Sequence, residues 1–269
     1  MTNFQFHQLS THYFSCHAAM EAYAVATMRT LPDAHPINKL LRPHFRYTMA
    51  INSRARATLI NDGGIIDQFF AIGGPGKVEL LKRISANYSV HSTNIVKSVR
   101  ARRVDDANLL PGYYYRDDGL KIWTAIETFV KEFVAEFYDS NEKVSNDAEL
   151  KNWAEEIHTF AFPGEFGAKQ GHGFPQHIST KEELTEYCTL IIFTGSAQHA
   201  SINFQQYSMY GFVPNAPVTL RLPPPIQKGQ ADYVHLLKTL PNKHDASKQI
   251  FVAYLLSQYS RDEVSIIIL

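Results

Sequence analysis

The chain has 269 residues, 45% hydrophobic and 12% aromatic, enough to bury a substantial core within one large domain. Lysine plus arginine (26) balance aspartate plus glutamate (26), so no global basic field exists to recruit nucleic acid or anionic lipid. Cys16 and Cys188 stand in apolar surroundings and read as buried reduced thiols, no run approaches the roughly 18 apolar residues of a membrane span, and MTNFQFHQLS lacks the regions of a secretion signal, so a soluble, cytoplasmic protein is expected.

From Phe4 to about Thr30 the sequence is free of proline and glycine and predicts one long helix, stopped at LPDAHP by Pro32 and Pro36. Residues 40–59 mix apolar and basic positions and predict a helix or short helical pieces, ended by a turn at NDGG, Asn61 to Gly64. IGGPGK lacks the spacing and the Ser/Thr of a phosphate loop, and reads as a turn before the helix VELLKRISANY. YYYRDDGLKIWTAIETFVKEFVAEFYDS predicts a helix capped by Asp117 or Asp118, with its aromatics in the core. Glu149 to Phe160 is a further helix, followed by the glycine-rich PGEFGAKQGHGFP, where His172, and His177 just beyond, are expected to be solvated or free of ligands.

STKEEL is a helix start with Ser179 or Thr180 as cap and Glu182 or Glu183 reaching back. The helix runs through CTLIIFTGSAQHASINFQQYSMYG, and a segment apolar all round belongs in the middle of a large domain. VPNAPVTLRLPPPIQKG is a proline-rich crossing loop, after which ADYVHLLKTLP and DASKQIFVAYLLSQYSRD read as helices and IIIL as an apolar tail. No alternating strand pattern occurs, so the class is mainly α.

His7, His12 and His17 recur at a fixed stride, and His199 lies one helical turn before Asn203. Such a density of imidazole suggests a metal site, since neutral imidazole suits several first-row metals. On an α-helix an i,i+5 pair points about 140° apart, whereas an i,i+4 pair is offset by only about 40°. His199 and Asn203 therefore share a face, while His12 and His17 converge only if the helix carries a π-bulge. Any single histidine could otherwise be a hydrogen-bonded core or surface residue. A hydrolytic zinc site is disfavoured because HExxH is absent.

HQLSTH followed by His17, HPINKLLRPHFRYTMAIN, YYRDDGLKIWTAI, GFP, FTGSAQHASINF, PNAPVTLR and PPP occur in the order found in the animal lipoxygenases, which the chain resembles from about Phe6 to about Asp262. The resemblance implies the lipoxygenase-like helical catalytic domain, whose non-haem iron (Fe2+/Fe3+) oxidises polyunsaturated fatty acids of the arachidonate or linoleate type. A hydrogen atom is abstracted at a bis-allylic carbon and dioxygen is added to give a hydroperoxide. It implies His12, His17 and His199 as iron ligands, Asn203 as a weak or distant fourth, and His7 as a neighbour that is not a ligand. Ala55 matches a position where alanine goes with S products, and Leu59, Ile65 and Leu256 match channel-lining positions.

Relatives begin with a β-sandwich lipid- and calcium-binding domain, through which peripheral membrane contact would occur, and end in an isoleucine whose carboxylate binds iron. This chain starts just before the histidine helix and stops at SRDEVSIIIL, where Ile268 and Leu269 do not match that residue. The expectation is a partial catalytic domain over residues 1–269, truncated at both ends, with no terminal carboxylate ligand and weak iron retention. The partners implied are a polyunsaturated fatty acid and dioxygen, without nucleic acid. The alternative is an inactive fragment that binds fatty acid or a full-length partner as a regulator.

Overall fold

A computed structural model of the chain describes residues 6–258 except 71, 224 and 230, and is mainly α, with no strand among the described residues. The chain opens on helix α1, which is π-wound over Gln8–Ala18 and continues as ordinary α-helix over Ala19–Thr30. Helix α2 (Pro36–Leu41) follows, then α3 (Thr48–Ala55), which ends in a second π-wound stretch, Arg56–Ile60. Next come α4 (Ile65–Phe69), α5 (Gly73–Asn87), α6 (Ile95–Ala101) and the long α7 (Tyr114–Phe137). Helices α8 (Asn141–Asn146) and α9 (Ala148–Glu156, with a π turn over Ile157–Ala161) lead to α10, which runs Lys181–Phe193, π-wound Thr194–Gln198 and His199–Asn203. Helices α11 (Gln206–Tyr210), α12 (Tyr233–Thr239) and α13 (Lys243–Leu256) complete the described part.

Helix α10 lies at the centre, as its largely apolar sequence requires: from Leu184 to Phe193 every residue but Glu186 is buried. Thr180 accepts from the Glu183 N–H, and the Glu183 carboxylate accepts from the Thr180 N–H, so the capping box starts the helix where the sequence places it. Helix α7 packs along α10, and α1 packs against α9, where Trp153 is fully buried and donates from Nε1 to Thr27 Oγ1 at 3.0 Å. Gly119 of α7 permits the close approach to α6, since a Cβ there would stand 2.1 Å from Ile95 Cδ1.

The second cluster of metal-competent side chains, His35, Asp147 and Glu149, serves the fold. His35 Nδ1 accepts from the Ile37 N–H at 3.1 Å, which caps α2 and leaves the proton on Nε2 facing Asp147 Oδ2 at 3.2 Å. Asp147 also accepts from the Leu150 N–H and the Tyr138 hydroxyl, so the three groups tie the starts of α2 and α9 together.

Several local expectations are corrected. The stretch GGPGK is the first turn of α5 and not a turn before it, because a proline in a first turn lacks only an N–H that has no partner there in any case. Neither Asp117 nor Asp118 caps α7: the helix starts at Tyr114, and Asp117 accepts from Arg116 Nε at 2.7 Å. Arg116 is buried and also donates to the carbonyls of Val104, Asp106 and Leu110, so it spans the preceding loop. The aromatics of α7 divide: Trp123 is core, whereas Phe129 and Phe137 are exposed and flank Phe133 in a surface row. His172 is buried, not solvated, with its ring nitrogens 3.2 Å from Tyr88 O and 3.1 Å from Pro163 O. His177 is exposed, and Cys16 and Cys188 are buried free thiols.

Candidate metal centre

Two of the candidate ligands are set by the winding of α1. In a π-helix the backbone bonds run from i to i+5, so residues five apart stack on one side, and the Ala19 N–H accordingly reaches Phe14 O. Serines help to hold that winding, with Ser15 Oγ donating to the carbonyl of Ser10, five residues back, at 2.8 Å. The third candidate is carried by α10 immediately after its own π-wound stretch, where Thr194 and Ser196 donate to the carbonyls four residues earlier. The bulge required by convergence of His12 and His17 is thus present, extended over 11 residues.

The three imidazoles meet through their Nε2 atoms, with His12 to His17 at 3.3 Å, His12 to His199 at 3.4 Å and His17 to His199 at 3.0 Å. The far side of the His17 ring fixes its tautomer, and the far side of His12 is consistent with the same one. Asn52 Nδ2 donates to His17 O and to Glu21 Oε2, so its Oδ1 faces His17 Nδ1 at 2.9 Å and that nitrogen must donate. Gln8 Oε1 faces His12 Nδ1 at 3.0 Å in the same sense. Neutral His12 and His17 therefore direct bare Nε2 lone pairs at one another and at His199, whose own Nδ1 is buried with no partner. Burial pushes the pKa of His12 well below its ordinary value, helped by His17, His199 and His7. Burial also lowers His17, partly offset by its bond to Asn52 and by Glu21, and holds His199 well below, with a further contribution from His17.

Convergent neutral lone pairs repel unless a cation lies between them. An ion about 2.1 Å from each nitrogen, with angles of about 90 to 110° between the bonds, needs nitrogens about 3.0 to 3.4 Å apart. The observed separations are 3.0 to 3.4 Å, so the donor set fits a first-row metal bound on one face, with its other positions open. Among the described residues no carboxylate joins the group, and Ile268 and Leu269, which do not match the family's terminal isoleucine, lie outside the described residues.

Asn203 is buried and lines the same cavity as His12 and His17, with its Oδ1 accepting from Gln206 Nε2 at 2.9 Å. An amide oxygen has two lone pairs, so one remains for an ion. His7 stands apart from the trio, its Nδ1 3.1 Å from the Tyr210 hydroxyl.

Beside the trio opens a cavity of about 1470 Å³, counting the space at its mouth, with a mostly apolar wall. Ala55, Leu59, Ile65 and Leu256 all line it and are half-buried, the state of a cavity wall and not of closed core. The turn between α3 and α4 is clamped by Lys77, a buried lysine whose Nζ donates to Ile60 O at 2.5 Å and to Asp67 Oδ1 at 2.7 Å, while Asp67 Oδ2 accepts from the Gly63 N–H.

Sequence reasoning missed Gln8, Asn52 and Lys77. Gln8 lies one turn before His12 and was in principle visible, whereas Asn52 and Lys77 act across tertiary contacts that leave no local pattern.

The lipoxygenase family model matches residues 1–267. The chain is 42% identical over 261 residues to the allene oxide synthase-lipoxygenase protein of Plexaura homomalla, covering 96% of this chain and 24% of that protein. It is 41% identical over 264 residues to the polyunsaturated fatty acid lipoxygenase ALOX8 of Mus musculus, covering 97% and 38%. A lipoxygenase crystal structure in complex with arachidonate superposes with a TM-score of 0.92 at 40% identity, over 98% of this chain and 39% of that one. A coral 8R-lipoxygenase structure also gives 0.92, at 42% identity over 97% and 39%. The chain thus spans well under half the length of these relatives, between 24% and 39%. The histidine trio, the apolar cavity beside it and similarity along almost the whole chain lead to one conclusion: this chain belongs to the lipoxygenase family.

Proposed function

We propose that the chain forms the iron- and substrate-holding part of a polyunsaturated fatty acid lipoxygenase, acting on arachidonate- or linoleate-like acids. The observation that carries this reading is the meeting of three imidazole Nε2 atoms, two from buried and one from a half-buried histidine, within 3.4 Å of one another at the wall of an apolar cavity. His12, His17 and His199 would hold non-haem iron, with Asn203 as a weaker fourth donor. When bound, the iron supplies one-electron chemistry, which removes a hydrogen atom from a bis-allylic carbon so that dioxygen can add to the resulting pentadienyl radical.

The residues of the chain contribute position and environment. Gln8 and Asn52 accept from the Nδ1–H groups of His12 and His17, which aims both rings and raises their basicity. The cavity wall excludes water from a reactive carbon radical and selects a long apolar ligand. Ala55, Leu59, Ile65 and Leu256 decide how deep and in which orientation the hydrocarbon sits, and the methyl of Ala55 goes with the S product. A cytoplasmic location and contact with a membrane surface through a further domain complete the proposal.

The test is metal analysis and turnover. In excess Fe2+ the purified chain is expected to take up one weakly held ion per molecule, and His12→Ala, His17→Ala and His199→Ala each to abolish that uptake, while Asn203→Ala weakens it less. A rise in ultraviolet absorbance from a conjugated diene on mixing with arachidonate reports the oxygenation. Wild-type iron content in any of the three histidine variants overturns the assignment of the centre.

A further inference from the structure

Most polar side chains around the cavity are already committed to the protein. Gln249 donates from Nε2 to Tyr210 O and Ala216 O and accepts from the Val218 N–H, Gln206 donates to Asn203, Gln8 accepts from His12, and the Tyr210 hydroxyl meets His7. Gln8 Nε2 and Asn203 Nδ2 are also buried without a partner, but Lys248 alone brings a charge. Among the described residues it is the one lysine or arginine that lines the cavity, and no aspartate or glutamate lines it. It is half-buried on α13, and its Nζ lies over the face of Phe69 on α4, 4.2 Å from the ring centroid. A ring face attracts an ammonium but offers no oxygen to its three N–H donors, and no ion-pair partner stands within reach among the described residues.

We propose that Lys248 receives the carboxylate of the fatty acid, with Phe69 holding the ammonium in place for it. The proposal rests on the fatty-acid reading above and adds which end of the ligand is anchored and where. A carboxylate entering an apolar cavity loses its hydration and needs a cation in exchange, while the hydrocarbon gains from any part of the wall. With one cation and no anion on the lining among the described residues, the charged end of the ligand is favoured at Lys248, and the chain then runs from the α4–α13 side toward the rest of the cavity. Anchoring the head limits which methylene can reach the imidazole trio, so Lys248 is a positioning residue and not a catalytic one.

The test is equilibrium binding of arachidonate and of its methyl ester to the chain by calorimetry, below the micellar range, for the wild type, Lys248→Met and Lys248→Arg. The wild type is expected to prefer the acid by about tenfold, the size of one charge-assisted contact at a half-buried position. That preference should shrink as salt is raised. In Lys248→Met the acid should fall to the affinity of the ester while the ester is unchanged, and Lys248→Arg should keep the preference. Wild-type affinity for the acid in Lys248→Met overturns the proposal and leaves the fatty-acid reading intact. Equal loss of acid and ester in that variant overturns it too, because the side chain would then act by packing. If the wild type binds neither ligand, the fatty-acid reading falls and this proposal with it.

Discussion

Replacing Asn52 by alanine tests whether the trio is a metal centre whose aim is set from outside. Asn52 is 1% exposed, receives His17 Nδ1–H at 2.9 Å and donates to His17 O and Glu21 at 2.8 Å each. Removing a partner that orients a metal-bound imidazole weakens metal affinity by about 10- to 100-fold, or about 1.4 to 2.8 kcal/mol. Loss of the buried bonds destabilises the fold separately, by about 1 to 3 kcal/mol, whether or not metal is present. The two effects part when each protein is melted with and without saturating Fe2+, because the structural cost is common to both melts. An unfolding entropy of about 2 cal/mol/K per residue over 269 residues turns the affinity loss into an iron-induced rise in Tm smaller by about 2 to 5 °C than in the wild type. An identical rise in both proteins would show that Asn52 only packs. No rise in the wild type would refute the metal reading itself.

Gly171 has φ +75°, and a Cβ there would stand 2.2 Å from His158 Nδ1, so Gly171→Ala combines left-handed strain with overpacking. A loss of about 2 to 4 kcal/mol, and a Tm lower by about 4 to 7 °C, is expected by calorimetry, and an unchanged Tm would contradict it. Burial pushes the Cys16 thiol up to about 12 and raises Cys188 as well, so neither should react with a maleimide at pH 8 until denaturant is added, when two equivalents should be consumed. Labelling of the native protein would show that these helices open. Burial raises the Asp147 carboxyl, but bonds from the Leu150 N–H, Tyr138 and His35 outweigh it and hold the group below its ordinary value of 3.8. Its stabilising effect is therefore complete above the unfolded value and is lost as pH falls through the folded one. Asp147→Asn should be less stable at pH 7 and lose less stability on acidification, and parallel urea midpoints from pH 6 to pH 3 would refute this.

Much of the helical order was legible because apolar periodicity, proline stops and the Thr180 capping box act within a few residues of one another. The i,i+5 stride of His12 and His17 even specified an unusual winding, since no ordinary helix brings those rings together. Exposure was harder to read. The α7 pattern has more large apolar residues than its neighbours cover, which left Phe129 and Phe137 on the surface. The buried polar groups were least legible: His172, Asn52 and Lys77 find their partners across tertiary contacts, so nothing beside them in sequence marks them as satisfied.

The π winding of α1 also joins two parts of the molecule. The same turns that present His12 to its partner rings bury Leu9 in a small apolar knot with Ile66 and Ile84, backed by Phe14 and Leu80. A helix wound against its natural pitch keeps that pitch only while both sides hold it. Divergence within the knot can therefore retune the spacing of the imidazoles without touching one, giving evolution a remote dial for the reactivity of the centre.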